Sequence, residues 1–244
     1  MNRLYILNIL NIFFRINLFV FSYLLYLIQI IFIFLKFTNI AKRIFRWAAY
    51  ICSLSLGVSY SINKNFKYKF FKKGIHISNH DNPLDIFAAQ YLFGMRTITT
   101  VDQHLKNFLP FFEVALKNYG HFCFDYKNFD DRKSAYLFLR KNCASDKQIL
   151  IYPSGSIYTS IKTRFSKSVS KLAFTGNIKI IAWKFSFVDR SNIEYNRKIV
   201  DYILKRFISE KIILKVDKVK IYDPNAYANY DELHYELKNF YLIT

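Results

Sequence analysis

The chain has 244 residues, enough for one domain with a full hydrophobic core and an additional segment. Its formal net charge of +19 favours an anionic partner such as a membrane surface, although a solvated lysine-rich surface is the alternative. Because the basic residues are spread along the chain without a recognisable nucleic-acid-binding motif, a nucleic acid partner is not expected.

The cysteines Cys52, Cys123 and Cys143 are odd in number, unevenly spaced and contain no C-x-x-C pair. This pattern argues against a disulfide framework and against a metal site. The expectation is a reduced domain that faces the cytoplasm and binds no metal.

The N-terminus is strongly apolar. Ile16–Leu35 has about the 20 residues that cross a bilayer core, and Leu4–Phe14 precedes it with Arg15 between them. A secretory signal is the competing interpretation, but its apolar core of about 7–15 residues would lead to a small-residue cleavage site, and neither feature fits. The segment is therefore predicted to associate with a membrane.

Basic residues follow this apolar run at Lys36, Lys42, Arg43 and Arg46, which places the C-terminal side in the cytoplasm by the positive-inside rule. A further apolar stretch, Trp47–Val58, is about half a span and fits an interfacial helix. Two arrangements stay open: a single crossing, or a helical hairpin with Arg15 snorkelling to the interface. Residues 1–60 are predicted to form membrane-associating helices, and residues 61–244 a separate folded domain.

The remaining chain alternates between short apolar segments and helical patterns. The predicted strands are Gly74–Ser78, Arg96–Val101, Gly120–Asp125, Gln148–Tyr152, Ile178–Phe185 and Ile212–Tyr222. The predicted helices are Leu84–Leu92, Phe108–Asn118, Asp130–Lys141, Ser168–Phe174, Glu194–Ser209 and Ala226–Phe240. Strand–helix alternation predicts an α/β fold, a layered mixed sheet flanked by helices.

The first predicted strand leads into the run Asn79-His80-Asp81-Asn82-Pro83-Leu84-Asp85. Pro83 suits the first position of a helix and Asn82 suits its N-cap. Asp85 then lies in the first turn, where the helix dipole favours a carboxylate. The helix is expected to end near Gly94.

His80 and Asp85 form an H-x4-D pair across this helix start. A carboxylate placed there can hold one imidazole nitrogen while the other faces a substrate, which is how a general base is oriented. Taken alone, such a pair is better explained by ordinary helix capping.

Two further motifs follow predicted strands, where ligands gather in α/β sheets. Asp125-Tyr126 follows one strand, and Pro153-Ser154-Gly155-Ser156 follows another. A glycine such as Gly155 lets the backbone approach a ligand, and exposed N–H groups can hold an anion, although a plain turn is the alternative. The basic residues behind it either meet phosphate groups or form a solvated face; they are Lys162, Arg164, Lys167 and Lys171.

Taken together, the motifs between His80 and Trp183 resemble those of the glycerolipid acyltransferases of the 1-acylglycerol-3-phosphate acyltransferase type. The first family motif is H-x4-D. The second, a glycine and apolar residues before Asp-Arg, reads Gly120–Tyr126 here, and the third, aromatic-Pro-Glu-Gly-Thr, reads Tyr152–Ser156. The fourth, an apolar strand, reads Ile178–Trp183.

The resemblance implies a membrane-bound O-acyltransferase of phospholipid metabolism. His80 would take the proton from the acceptor hydroxyl, Asp85 would orient the imidazole, and backbone N–H groups near Gly155 would stabilise the oxyanion. The implied partners are membrane lipid, a lysophospholipid acceptor and a thioester co-substrate, acyl-CoA or acyl-carrier protein, with no other cofactor.

This chain departs from the family in the residues associated with holding glycerol phosphate. Tyr126 stands in place of the second-motif arginine, and Ser154 in place of the third-motif glutamate, so neither role carries over. Lys127 supplies a displaced cation, as a point charge without the bidentate fork of arginine. The expected substrate contacts are Tyr126, Lys127, Ser154, Gly155, Ser156 and Arg164.

These departures keep two hypotheses open. One is an enzyme with a changed acceptor, and the other is a non-catalytic protein of the same fold that binds lipid or acyl-carrier protein. The remaining histidines lack a carboxylate at comparable spacing and are predicted to be structural or surface residues; they are His76, His104, His121 and His234.

Overall fold

The structure is a computed structural model that describes residues 3–80, 82–93, 97–103, 105, 109–143, 148–155, 165–189 and 199–242. Its helices are α1 (Arg3–Phe34), α2 (Thr38–Ser55), α3 (Lys64–Lys67), α4 (Asp85–Phe93), α5 (Phe112–Tyr119), α6 (Phe129–Cys143), α7 (Ser168–Gly176), α8 (Ile199–Ile208) and α9 (Tyr230–Leu242). Its strands are β1 (Val58–Ser61), β2 (Ile75–Ser78), β3 (Thr97–Asp102), β4 (Phe122–Phe124), β5 (Gln148–Ile151), β6 (Ile180–Asp189) and β7 (Ile212–Tyr222).

The strands form one seven-stranded sheet in the order β1-β7-β6-β2-β5-β3-β4. Strand β2 lies at its centre and pairs in parallel with β5 and β6. The pairs of β3 with β5 and with β4 are also parallel. Helices occupy the connections between these parallel strands, as the geometry of a crossover requires. The α/β prediction is therefore confirmed.

Strand β1 was not predicted, because Trp47–Val58 reads as one apolar segment in the sequence. In the structure α2 ends at Ser55, and Gly57 adopts a positive φ of 84° that turns the chain into β1. Strand β1 then pairs in parallel with β7, from Val58 beside Ile212 to Ser61 beside Lys215. Glycine reaches this φ without the steric cost that a side chain would add.

The chain divides into two compact units. One unit comprises Asn63–Asp81, Arg96–Phe185 and Val216–Thr244. Its core consists of the apolar residues of β2, β5 and β6, packed with α7 and α9. An aromatic stack adjoins the sheet, with the rings of Phe70 and Trp183 4.0 Å apart and nearly parallel. Its central strands are buried along their whole length, which explains their continuous apolar sequence.

The other unit comprises Met1–Ile62, Asn82–Met95 and Ser186–Lys215. Helices α1 and α2 are joined by three residues and pack together as a hairpin. The buried polar residues of α1, namely Arg15, Ser22 and Gln29, recur every seven positions and so lie along one face. Helix α1 thus runs unbroken through Arg15 and forms a hairpin with α2 inside this unit.

Arg15 does not snorkel to an interface, so that expectation is wrong. Its side chain is only 4% exposed, and its guanidinium donates hydrogen bonds to the carbonyl oxygens of Arg206, at 3.0 Å, and Ser209, at 2.8 Å. These carbonyls lie at the C-terminal end of α8, where unpaired oxygens and the helix dipole favour a cation. Arg15 therefore fastens α8 to α1.

Within the described residues, one helix is long and apolar enough to cross a membrane: Asn8–Phe34 contains an 18-residue window with a mean hydropathy of 2.2. A core helix of a soluble protein would be mostly buried, whereas only 28% of this window is buried. Large apolar side chains are exposed along it, including Phe13, Phe21 and Phe34. Such a surface is typical of a helix that meets lipid or another protein.

Candidate active site

His80 lies just beyond the carboxyl end of β2, at the centre of the sheet. Its ring stacks on that of Tyr152, with the centroids 4.3 Å apart and the planes 27° from parallel. The parallel register of β2 with β5 pairs Ile77 with Ile151, so the residues that follow both strands emerge at the same edge. The structure thus brings the first-motif histidine against the aromatic residue of the third motif.

The residue before His80 is fixed by the neighbouring strand. The Asn79 amide nitrogen donates to the carbonyl oxygen of Phe185, and its amide oxygen accepts from the Phe185 N–H, each at 2.8 Å. A side chain thereby continues the hydrogen bonding of the β2–β6 pair by one step and holds the backbone that carries His80. Sequence reasoning missed Asn79, because its partner lies 106 positions away.

Asp85 begins α4 and is buried. Its carboxylate oxygen Oδ2 accepts the Asn82 N–H at 3.3 Å, and the Asn82 side-chain oxygen accepts the Leu84 N–H at 2.9 Å. The prediction that Asn82 is the N-cap of the helix is wrong, because its side chain caps a turn that precedes α4. The helix begins two residues after Pro83, because Asp85 N–H bonds to the Asn82 carbonyl three residues back and forms a tighter first turn.

Tyr202 supports the same turn from α8. Its hydroxyl donates a hydrogen bond of 3.2 Å to the side-chain oxygen of Asn82. Burial is the main cause of the raised pKa of Tyr202, so the hydroxyl keeps its proton and remains a donor. No local sequence signal identifies this residue, since 120 positions separate it from Asn82.

The second motif forms a capped turn after the edge strand β4. Asp125 accepts the Lys127 N–H at 2.8 Å, and Asn128 caps α6 by accepting the N–H groups of Asp130 and Asp131. Tyr126 is 41% exposed, and the Lys127 ammonium lies 5.9 Å from the centre of its ring. The turn therefore presents an aromatic ring and a cation to the surroundings.

The end of β4 is separated from that of β2 by the intervening strands β5 and β3. Three strand spacings of about 4.8 Å place the two ends roughly 14 Å apart. Tyr126 and Lys127 are thus too distant for direct hydrogen bonds to the group that reacts at His80. If they bind substrate, they contact a different part of it.

The third motif is a turn in which the Gly155 N–H donates to the Tyr152 carbonyl at 2.9 Å. This N–H is engaged and is not itself an anion donor in this conformation. Gly155 has a φ of 73°, and a Cβ added there would meet nothing within 4 Å, so the backbone is open to a ligand. Ser154 is 1% exposed, whereas Gly155 is exposed. Ser156 and Arg164 lie outside the described residues.

His76 is a structural residue, as predicted. It is fully buried, accepts the Trp183 indole N–H at 3.0 Å through Nδ1, and lies 2.7 Å from the Lys72 carbonyl through Nε2. The Lys72 carbonyl is an acceptor, so Nε2 carries the proton and the ring is neutral. His121 is also buried and accepts the Thr99 N–H at 3.2 Å, while His104 lies outside the described residues.

Burial lowers the pKa of His76 from 6.5 to about 4, which predicts a pH-dependent stability. Below pH 6.5 the unfolded chain binds a proton that the folded chain excludes, so the free energy of unfolding should fall as the pH drops from about 6.5 to 4. At about 1.4 kcal/mol per pH unit, the total loss is about 3 kcal/mol. Urea unfolding in a non-ionic detergent at several pH values measures this loss in the free energy of unfolding.

The variant His76→Gln keeps one donor and one acceptor but removes the titration. Its free energy of unfolding should therefore depend less steeply on pH over that interval. The prediction for His76 is contradicted if wild type and variant show the same slope.

No group of three or more His, Cys, Asp or Glu side chains arranged to hold a metal ion occurs among the described residues. The features at the strand ends are a histidine after β2, an open glycine turn after the neighbouring β5, and a surface cation after β4, three strand spacings from the histidine. Such a set can take a proton from a hydroxyl group and accommodate a substrate along the strand ends.

Comparisons with known proteins agree with this geometry. Residues 62–183, half of the chain, match the family model described as "Acyltransferase". The fold is similar to the crystal structure of the 1-acyl-sn-glycerophosphate (LPA) acyltransferase PlsC from Thermotoga maritima, with a TM-score of 0.64 and 14% identity over 97% of this chain and 93% of that one. No curated protein sequence matches the chain significantly. The chain belongs to the acyltransferase family.

Proposed function

We propose that this protein is a membrane-attached O-acyltransferase that moves a fatty acyl chain from a thioester to the hydroxyl group of a lysophospholipid such as 1-acylglycerol-3-phosphate. The observation that carries the proposal is His80, placed at the end of the central strand against Tyr152, within the segment that matches the acyltransferase family. The thioester donor is acyl-CoA or acyl-carrier protein, and the reaction needs no other cofactor.

In this mechanism His80 acts as the general base. Its unprotonated ring nitrogen takes the proton of the acceptor hydroxyl as the oxygen attacks the thioester carbonyl. The new C–O bond forms, the C–S bond breaks, and the imidazolium returns the proton to the leaving thiolate. Asp85, five residues along the chain, orients the imidazole and stabilises its cationic form.

The substrate contacts follow the strand ends. Backbone N–H groups around the open turn at Gly155 stabilise the oxyanion, with the donors supplied by neighbours of the engaged Gly155 amide. Tyr126 and Lys127, about three strand spacings from the base, contact the acceptor head group, together with Ser154, Ser156 and Arg164.

The α1–α2 hairpin attaches the enzyme to the membrane through the exposed apolar side chains of α1. The basic residues Lys42, Arg43 and Arg46 lie in the first half of α2, close to the turn that follows α1, so the positive-inside rule assigns the C-terminal end of α1 to the cytoplasm. The reacting groups would then lie where cytoplasmic thioester donors reach them.

A non-catalytic protein of the same fold is the second candidate. The observation that favours it is the pair of departures, Tyr126 and Ser154, where the family resemblance expects a charged acceptor clamp. Such a protein would bind lipid or acyl-carrier protein without turnover.

An acyl-transfer assay separates the two candidates. Full-length protein in phospholipid vesicles is given radiolabelled acyl-CoA or acyl-carrier protein, each with a panel of lysophospholipids. The enzyme hypothesis expects a diacyl product that depends on one donor and on His80. Binding of lysolipid or carrier protein without product from any pairing would instead support the non-catalytic candidate.

The acceptor head group provides a quantitative prediction. Because Tyr126 replaces a charged contact worth about 1.5–3 kcal/mol, lysophosphatidate should not be preferred strongly over other lysolipids. Tyr126→Arg should raise that preference about tenfold to a hundredfold, and the exposed position accommodates the longer side chain. Side-by-side kcat/KM values for lysophosphatidate and lysophosphatidylcholine measure the effect.

Phe129→Arg is the matched control, since it adds the same charge at an exposed aromatic residue three positions away. It should leave the preference unchanged. A wild-type preference of about a hundredfold or more for lysophosphatidate would contradict the prediction and assign the clamp to other residues, such as Lys127.

A further inference from the structure

Helix α8 has an apolar face that none of the described residues of its own unit covers. Val200, Leu204 and Ile208 recur every four residues and are 62%, 58% and 72% exposed, and we call them the α8 stripe. The opposite face is buried through Tyr202 and Arg206. An amphipathic helix of a water-soluble unit would normally show polar residues on its outer face.

The α8 stripe continues onto the apolar surface of α1. Phe207 lies about 20° round the helix from Val200, since seven residues make nearly two turns. Its ring meets that of Phe19 edge-to-face at 5.3 Å. The hydrogen bonds from Arg15 to the end of α8 fix the two helices together at this level. On α1, the exposed large apolar residues around Arg15 are Phe13, Phe14, Ile16 and Val20.

Charge also favours a lipid occupant. Lys205 and Lys211 are exposed beside and just beyond the α8 stripe, on a chain with a net charge of +19. Lysines that flank an apolar stripe are typical of helices that lie in the interface of an anionic membrane, where the apolar face enters the acyl region and the ammonium groups stay among the head groups.

We infer that α8 is a second membrane-contacting element, which lies in the interface of an anionic bilayer beside the α1–α2 hairpin. This inference rests on the proposed membrane attachment by the hairpin. The buried side of α8 carries Tyr202, whose hydroxyl donates a hydrogen bond to Asn82. Asn82 lies in the turn that leads to Asp85 in the candidate active site. The bilayer would thus hold the helix that supports this turn.

The test places one fluorescent label at a time on three leucines of similar exposure. Leu204→Cys reports on the α8 stripe, Leu24→Cys on α1, and Leu137→Cys on α6 in the other compact unit; these leucines are 58%, 50% and 50% exposed. Cys123, the partly exposed native thiol, is replaced by Ser, while the buried Cys52 and Cys143 remain. The full-length protein is mixed with phosphatidylcholine–phosphatidylglycerol vesicles that contain a doxyl-labelled lipid quencher.

The inference expects the labels at positions 204 and 24 to be quenched by the vesicles and the label at 137 to be unaffected. Quenching at 24 without quenching at 204 would overturn the role of α8 but leave the hairpin attachment intact. Quenching at neither position would overturn the membrane attachment itself. The label at position 204 could also become shielded from water in the absence of vesicles, to an extent that rises with protein concentration. That result would show that a second copy of the chain covers the α8 stripe, and it would also overturn the inference.

A binding measurement gives a second readout. The double variant Leu204→Glu with Ile208→Glu should lower the vesicle partition coefficient about tenfold or more, because two apolar side chains no longer leave water. Leu137→Glu, a matched change on α6, should leave the coefficient unchanged. Equal coefficients for the double variant and wild type, with both folded by circular dichroism, would overturn the inference.

Discussion

Replacing His80 by Ala is expected to lower kcat by about 10²–10⁴-fold while the fold is retained, because the variant loses general-base assistance. The ring lies beyond the end of β2 and stacks on Tyr152, outside the apolar core of its unit, so its removal opens no core cavity. Asp85→Asn should be nearly as damaging through a misoriented imidazole. Single-turnover rates with saturating acyl donor and lysolipid measure the chemical step directly.

His234→Ala serves as the control for loss of an imidazole. His234 lies on α9 against the Phe165 ring, and burial lowers its pKa, so it is neutral and has no part in the proposed chemistry. This variant should keep the wild-type turnover. Near-normal turnover in a purified His80→Ala protein with an unchanged melting temperature would refute the mechanism.

The second large effect is expected in stability, at the buried ion pair of Asp189 and Arg206. The guanidinium of Arg206 is fully buried and donates to Asp189 at 2.8 Å, to the Leu56 carbonyl at 3.2 Å and to the Glu210 carbonyl at 2.8 Å. Asp189→Ala removes the countercharge, and breaking a buried pair in this way costs about 3–5 kcal/mol. Denaturant unfolding in non-ionic detergent gives the difference in free energy.

An exposed pair of similar length provides the control. Lys167 and Asp231 are 2.9 Å apart, but both side chains are more than half exposed. Asp231→Ala should therefore change the free energy of unfolding by only about 0–1 kcal/mol. If Asp189→Ala costs no more than Asp231→Ala, Arg206 is stabilised by its backbone carbonyl contacts and the ion pair is unimportant.

Elements defined by local signals were predictable. β7 has the predicted bounds Ile212–Tyr222, because its apolar and β-branched residues end at an Asp-Pro pair. α4 ends at Phe93, directly before the predicted terminator Gly94. The place of Asp85 in the first turn of α4 was also predicted, although Asn82 caps the turn before the helix and not the helix itself. These signals act over a few residues and need no knowledge of the partner strand.

Long-range contacts were not predictable in the same way. Nothing near Asn79 indicates that its amide pairs with Phe185, and nothing near Arg15 indicates that it binds the end of α8. A lone arginine in an apolar run has two ways to satisfy its charge, by reaching water or by reaching carbonyl groups in the protein. Only the packing of α8 against α1 decided that Arg15 binds carbonyl groups of the protein.

By itself, the sequence determined the strand–helix alternation, the apolar N-terminus and the ordered motifs from His80 to Trp183, because each depends on residue types at short spacing. The tertiary structure decided the order of the strands, and with it the contact of His80 with Tyr152 and the distance of Lys127 from both. It also decided that Tyr202 supports the turn at Asp85 and that the α8 stripe is left uncovered. The physical reason is that side-chain partners far apart in the sequence are selected by the packing of whole elements, which no local pattern specifies.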